Sequence, residues 1–182
     1  MFVQLPRYLK SNRTSIRWTV LFGLLSMLCA GFAHPAGAMQ GLLGNLCIID
    51  ETGQRVYGEY LSVFLTRREI PIPHVAGLEE METHRRLDRI NQMHLDFYKQ
   101  FVQHRSQPGY LIANTESSDT GNFAFLDVPA GKYYVVVMFP AMIGGYKVAW
   151  QQPVSVIVGR MGYVSLNMGN LAIPTDKRDF YH

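Results

Sequence analysis

Apolar and polar residues alternate along several stretches of this chain, the pattern of strands with one buried face. From Glu59 to Thr66, the residues Tyr60, Ser62, Phe64 and Thr66 fall on one side and Leu61, Val63 and Leu65 on the other. Tyr146, Val148 and Trp150 alternate in the same way with Lys147, Ala149 and Gln151. Gly41 to Ile49 and Gly109 to Asn114 read as further strands, the first followed by the turn Asp50-Glu51-Thr52-Gly53. At the centre of the pattern, a polar cluster from Ser117 to Gly121 turns the chain so that Phe123 and Phe125 share a face. Pro129-Ala130-Gly131 then leads into an aromatic and β-branched run, Lys132 to Phe139. So tight a connection predicts that these two strands pair antiparallel, and Val154 to Val158 with Gly162 to Met168 predict a last hairpin around Gly159-Arg160. The strands carry more apolar surface than one layer hides, so a second sheet has to cover the first.

The period changes between Arg67 and Pro108, a connection far longer than usual in a compact domain. Ile70-Pro71-Ile72-Pro73 is an extended lead-in, since each proline restricts the residue before it. A helix is predicted from Leu78 to Arg105. Glu79, Glu80 and Glu82 load its first turns and His104 and Arg105 its last, as the macrodipole prefers, and Pro108-Gly109 ends it. Leu87, Ile90, His94, Phe97 and Phe101 form an apolar stripe with Tyr98 and Val102 beside it, while Arg85, Asp88, Arg89, Asp96 and Lys99 lie opposite. Such a stripe either packs on the outside of a sheet or docks a partner protein. Burial of His94 within it would lower that residue's pKa. His84, His94 and His104 recur every ten residues, which a helix of about 3.6 residues per turn rotates apart, so they do not converge on a metal.

Two other features bear on binding. Pro140 to Gly145 is an apolar, glycine-rich loop containing Met142 and Ile143, the kind of surface feature that contacts ligands. Tyr146 and Trp150 are core anchors if their face is inward, and a platform for stacking sugar rings if it is outward. The candidate ligand- or partner-binding residues are therefore Leu87, Ile90, His94, Phe97, Phe101, Met142, Ile143, Tyr146 and Trp150.

Residues 1–38 do not fit this pattern. Arg7, Lys10, Arg13 and Arg17 precede an apolar run from Thr19 to Ala33, and Ala36-Gly37-Ala38 offers a small-residue cleavage site, so a signal peptide is expected here. The apolar run is shorter than the roughly 20 residues that cross a bilayer comfortably. Export to the periplasm or the extracellular space follows, with no membrane span after cleavage. The leader also explains the charge: the chain has a formal net charge of +3, but residues 39–182 carry 13 basic against 14 acidic side chains. Nucleic-acid binding through basicity is thereby excluded. With Cys29 in the leader, Cys47 stands alone and forms no internal disulfide; among Leu46, Ile48 and Ile49 it reads as a small buried residue.

Gly44, Asp50, Gly53, Val63, Gly121, Phe123, Pro129, Gly131 and Tyr133 stand where the carboxypeptidase regulatory-like domain has its Asp-x-x-Gly turn, Thr-Asp-x-x-Gly-x-Phe and Pro-x-Gly-x-Tyr. Ser117 and Ser118 replace the Thr-Asp. The chain resembles that family over Gly41 to Thr66 and Gly109 to Met168. The resemblance implies a mainly β fold, a single seven-stranded Greek-key, transthyretin-like (prealbumin-like) β-sandwich over residues 39–170. Here it would be interrupted by one long helical insertion at about 76–106 and followed by a polar tail, 171–182. Related sandwiches that are enzymes lack their chemistry here. Hydroxyisourate hydrolases need a first-strand histidine and a Tyr-Arg-Gly-Ser ending, and intradiol dioxygenases typically a His-x-His run. Neither occurs, nor does a nucleophile elbow, a zinc helix or a phosphate loop. No catalytic residue, metal or cofactor is expected. The expected function is a non-catalytic protein-binding or assembly module of the periplasm or cell envelope. The alternative is carbohydrate binding, with a polysaccharide as ligand, and a metal-dependent enzyme comes third.

Overall fold

The computed structural model describes residues 39–72 and 75–175; the expected leader, 1–38, and residues 176–182 of the expected tail lie outside the described residues. Ten strands are present among them: β1 (Gly41–Ile49), β2 (Arg55–Tyr57), β3 (Ser62–Thr66), β4 (Leu111–Glu116), β5 (Asn122–Leu126), β6 (Gly131–Val137), β7 (Met142–Ile143), β8 (Tyr146–Lys147), β9 (Trp150–Val156) and β10 (Met161–Leu166). Seven of these have five residues or more, and β2, β7 and β8 are shorter. One α-helix, α1, spans Thr83–Arg105.

The strands form two four-stranded sheets and one short hairpin, β7–β8. In the first sheet, β1 runs parallel to β10 along one edge; its other edge pairs antiparallel with β5 and then β2. The second sheet is antiparallel, in the order β4-β3-β6-β9. Leu42, Leu46, Phe123, Phe125 and Leu166 of the first sheet share one buried cluster with Val63, Leu65, Tyr133, Val135, Val137 and Trp150 of the second. The fold is thus mainly β, two sheets packed on a common core, with each fully buried Leu, Val or Phe contributing about 1.5–3 kcal/mol.

Two expected pairings do not form. β5 lies on β1 and β6 between β3 and β9, so the chain from Asp127 to Ala130 crosses from one sheet to the other. Asp127 takes a left-handed conformation (φ 54), Val128 buries itself in the core, and the Tyr133 hydroxyl donates to the Pro129 carbonyl at 2.7 Å. In the same way β9 joins β6 whereas β10 joins β1. A short link only requires its ends to be close, and sheets stacked about 10 Å apart satisfy that as well as a hairpin does. A tight hairpin does form at β7–β8, where Gly144 and Gly145 both have positive φ (55 and 88), as a two-residue turn between twisted strands demands.

The turns that the sequence marks are formed by their polar side chains. Asp50 Oδ1 accepts from the Thr52 and Gln54 amides at 2.9 and 3.0 Å. Ser118 Oγ accepts from Thr120 and Asn122 at 3.3 and 3.1 Å. Gly121 (φ 72) is held to the first sheet by its carbonyl, which accepts from the Leu46 amide at 2.8 Å; a Cβ here would lie 2.2 Å from the Leu46 carbonyl oxygen.

The helix is shorter than expected. A single 3-10 turn covers Leu78–Glu80, the chain extends at Met81 (ψ 146), and α1 begins after Glu82, so the acidic residues precede its first turn instead of filling it. The break allows Leu78 to bury in the same cluster as Ile90 and Met93. In that cluster Ile90, Met93, Phe97 and Phe101 of α1 pack against Val136, Met138 and Ala149, so the helix covers the outer face of the second sheet. The outer face of the first sheet has no such cover among the described residues: Leu43 and Tyr163, adjacent in register, are both exposed. Cys47 lies half-buried on that same face, not in the core, because its position in the β1 alternation is opposite to that of Leu46 and Ile48.

Candidate functional site

A cleft opens where the second sheet comes apart beneath α1. The β3–β6 ladder ends at Phe64↔Val136, and beyond it the two chains are held by different neighbours. On one side Ser117 fixes Gly58 to Leu61. Its Oγ donates to the Gly58 carbonyl at 2.6 Å and accepts from the Leu61 amide at 2.9 Å, and its carbonyl accepts from the amide of Tyr60, itself left-handed (φ 52). On the other side Val137 stays paired with Trp150 of β9, and the Ala141 amide donates to the Met138 carbonyl at 3.0 Å. The Phe139–Pro140 peptide bond in this segment is cis.

The gap between them is a cleft of about 290 Å³, walled by Tyr60, Ser62, Phe64, Met138, Phe139 and Pro140 and overhung by Tyr98, Phe101 and Arg105 of α1. Phe101 contacts Phe64 (ring centroids 4.7 Å apart), and Tyr98 meets Phe139 edge-on at 5.9 Å. Behind Phe139 the Lys147 ammonium lies 5.5 Å from the ring centre and donates to Asn91 Oδ1 at 2.5 Å. Tyr60 and Tyr98 are 64% and 38% exposed, so the cleft is open to solvent through its aromatic rim. Among the described residues Arg105 is the one charged residue of its lining.

Most of the residues expected to bind lie elsewhere. Ile90, His94, Phe97 and Phe101 are buried between α1 and the sheet and Leu87 is half-buried, so the stripe is occupied by the chain's own core. Ile143, Tyr146 and Trp150 belong to the core between the sheets, and the Trp150 indole donates to the Asn167 carbonyl at 2.9 Å. The sugar-stacking platform of Tyr146 and Trp150 is therefore corrected: their alternation is real, but their face is inward. Met142 is exposed on β7, beyond the cleft lining. Of the nine, only Phe101 reaches the cleft. Tyr98 and the Pro140 loop carried a signal, the one beside the helix stripe and the other as an apolar loop. Tyr60 and Arg105 carried none, because each reads as an ordinary member of its element.

His94 is fully buried, and among the described residues neither ring nitrogen has a well-formed hydrogen bond, the Pro174 carbonyl being its nearest polar neighbour on the main chain. Its pKa is lowered to about 4, chiefly by burial and secondarily by the Lys147 charge, with the nearby Pro174 carbonyl opposing. Burial also lowers the Lys147 pKa. The three helix histidines stay apart: His84 is exposed beside Glu82, and His104 Nδ1 lies 2.7 Å from the Gln100 carbonyl oxygen. Among the described residues no three of His, Cys, Asp and Glu come together as a metal site. No described helix is long and apolar enough to cross a membrane.

No protein-family model matches the chain, and no curated protein does. Among solved structures it is similar to the minor pilin GBS52 of Streptococcus agalactiae, at 14% identity and a TM-score of 0.42, over 78% of this chain and 48% of that one. A candidate carbohydrate-binding protein from Pseudomonas aeruginosa is similar at 14% identity and a TM-score of 0.38, over 74% and 92% of the two chains. The pilus backbone protein RrgB of Streptococcus pneumoniae is similar at 9% identity and a TM-score of 0.35, over 70% and 40%. The chain thus spans about half the length of the first of these structures. Likeness at this level assigns neither ligand nor partner.

Proposed function

We propose that this chain is an exported, non-catalytic β-sandwich of the carboxypeptidase regulatory-like, Greek-key type that docks another protein of the periplasm or cell envelope. Residues 39–170 would form the working domain after removal of 1–38. The observation that carries the docking reading is the cleft under α1. It is an open recess with an aromatic rim of Tyr60, Tyr98 and Phe139, a composition that protein contacts favour, and it is built on the second sheet and α1, which hold its walls in place. The leading expectation drew on the helix stripe and the Pro140 loop; the recess retains the loop and the solvent-facing shoulder of the helix, Tyr98, and leaves the stripe itself to the core. Carbohydrate binding remains the runner-up, now without the Tyr146–Trp150 platform on which it rested.

The test is site-specific photo-crosslinking in the native cells. A photoreactive phenylalanine analogue replaces Tyr98 in one strain and Tyr163, on the opposite exposed sheet, in another. A single protein crosslinked from position 98 and absent from position 163 supports the reading. Crosslinks from position 163 alone would move the contact to the other sheet and defeat it.

A further inference from the structure

We infer that the outer face of the first sheet is the contact surface between two copies of this chain, packed sheet on sheet about a twofold axis. The inference stands apart from the docking reading, since it uses the side of the sandwich opposite the cleft. Alternation along β1 turns Leu43, Cys47 and Ile49 outward, and the register sets Tyr163 beside Leu43, Tyr57 opposite Cys47 and Leu126 opposite Gly41. Leu43, Ile49, Tyr57, Leu126 and Tyr163 are all exposed, Tyr163 by 69%. A sheet face that meets water normally turns polar side chains to it. This one turns large apolar ones, and exposed apolar patches above roughly a few hundred Å² mark contact surfaces.

Charge and size point to the occupant. Arg55, beside Ile49 at the end of β1, is the one charge on the strand positions of this face among the described residues. A strongly charged partner finds nothing here to read, whereas a second copy brings an equally neutral face. Residues 39–182, with 13 basic against 14 acidic side chains, carry too little net charge to hold two copies apart. Across the face lie β10, β1 and then β5 or β2, at a spacing of about 4.8 Å, and β1 runs nine residues at about 3.3 Å each, so the plan is roughly 14 by 30 Å. Protruding side chains raise the accessible area above that, toward the low end of specific interfaces at about 600 Å² on each partner, which makes the pair a dissociable one. The cleft and α1 lie on the other side of the sandwich, so a pair joined here presents the cleft twice, once on each outer surface.

The experiment is analytical ultracentrifugation of the purified protein across a dilution series, with the parent, Tyr163→Glu, Leu43→Glu and Leu95→Glu. The parent should show a concentration-dependent dimer. Tyr163→Glu and Leu43→Glu should each raise its dissociation constant about tenfold or more, since each sets like charges within an apolar contact, while Leu95→Glu, on the exposed side of α1, should leave it unchanged. In the parent, alkylation of the half-buried Cys47 should slow as the protein is concentrated and the face is covered. A monomer at every concentration overturns the inference, as does a dimer that either face variant leaves intact, a dimer that Leu95→Glu disrupts, or Cys47 alkylation indifferent to concentration. Photo-crosslinking at Tyr163 that captures a foreign protein in place of the chain itself also overturns it and gives the face to that protein. The docking reading is judged separately, by the crosslinks from position 98.

Discussion

The side-chain amide of Gln151 closes two hydrogen bonds on the main chain of Ile70. Its Oε1 accepts from the Ile70 amide at 2.8 Å and its Nε2 donates to the Ile70 carbonyl at 2.8 Å, all in a buried setting. The glutamine acts as a strand partner for a segment that has none, and so ties the lead-in of α1 to the sheet that the helix covers. Gln151→Leu keeps the volume but leaves a buried N–H and a buried C=O unpaired, at about 1–3 kcal/mol each. We expect a loss of about 2–6 kcal/mol in urea unfolding, and an unchanged midpoint would show that water takes over both groups.

His94 should make the fold acid-sensitive. Its folded pKa of about 4 lies below the ordinary histidine value of 6.5, so between those pH values the unfolded chain binds the extra proton. Stability is therefore full above pH 6.5 and declines as pH falls toward 4, by on the order of 3 kcal/mol. His94→Leu should flatten that part of the profile. An equally steep decline in the variant would assign the acid sensitivity to other groups.

The helix stripe should behave as core. Phe97→Ala, which empties a buried site between α1 and the sheet, should cost about 3–5 kcal/mol, whereas Leu95→Ala, on the exposed side, should stay within about 0.5 kcal/mol. Equal effects in thermal unfolding would contradict the packing described for α1.

Trp150 should be spectroscopically silent toward sugars. It is 0% exposed, so in a Trp18→Phe background its emission should be blue-shifted, resist acrylamide, and not respond to soluble polysaccharides. Quenching by a saccharide would restore the aromatic platform and the carbohydrate reading with it.

What the sequence disclosed and what it withheld have separate physical causes. Alternation from Tyr146 to Gln151 placed Tyr146, Val148 and Trp150 together, and they are together in the core. The opposite residues Ala149 and Gln151 are buried as well, Ala149 under α1 and Gln151 against the Ile70 main chain, and a period of two cannot show what covers the second face. The polar turns at Asp50 and Ser118 were legible since their caps act within a few residues. Strand partners were not. Pro129-Ala130-Gly131 looks the same whether it closes a hairpin or crosses between sheets, and the choice is made by β1, far away in the chain. The cleft was hidden for the same reason, as it arises from the distance at which β6 leaves β3, a relation between segments that local pattern does not encode.

The parallel pairing of β1 with β10 has a consequence for how the protein is made. Gly41 to Leu46 lie against Met161 to Leu166, so the first strand of the domain waits for almost the last. Contacts so distant in sequence form slowly, because the loop between them must close before any pairing is gained. While the chain is still emerging, its first sheet cannot be complete, and the inner faces of β1 and β5 stay without part of their cover. Under the proposed export, a first sheet that closes only with its last strand would suit a chain threaded through a narrow channel before it folds.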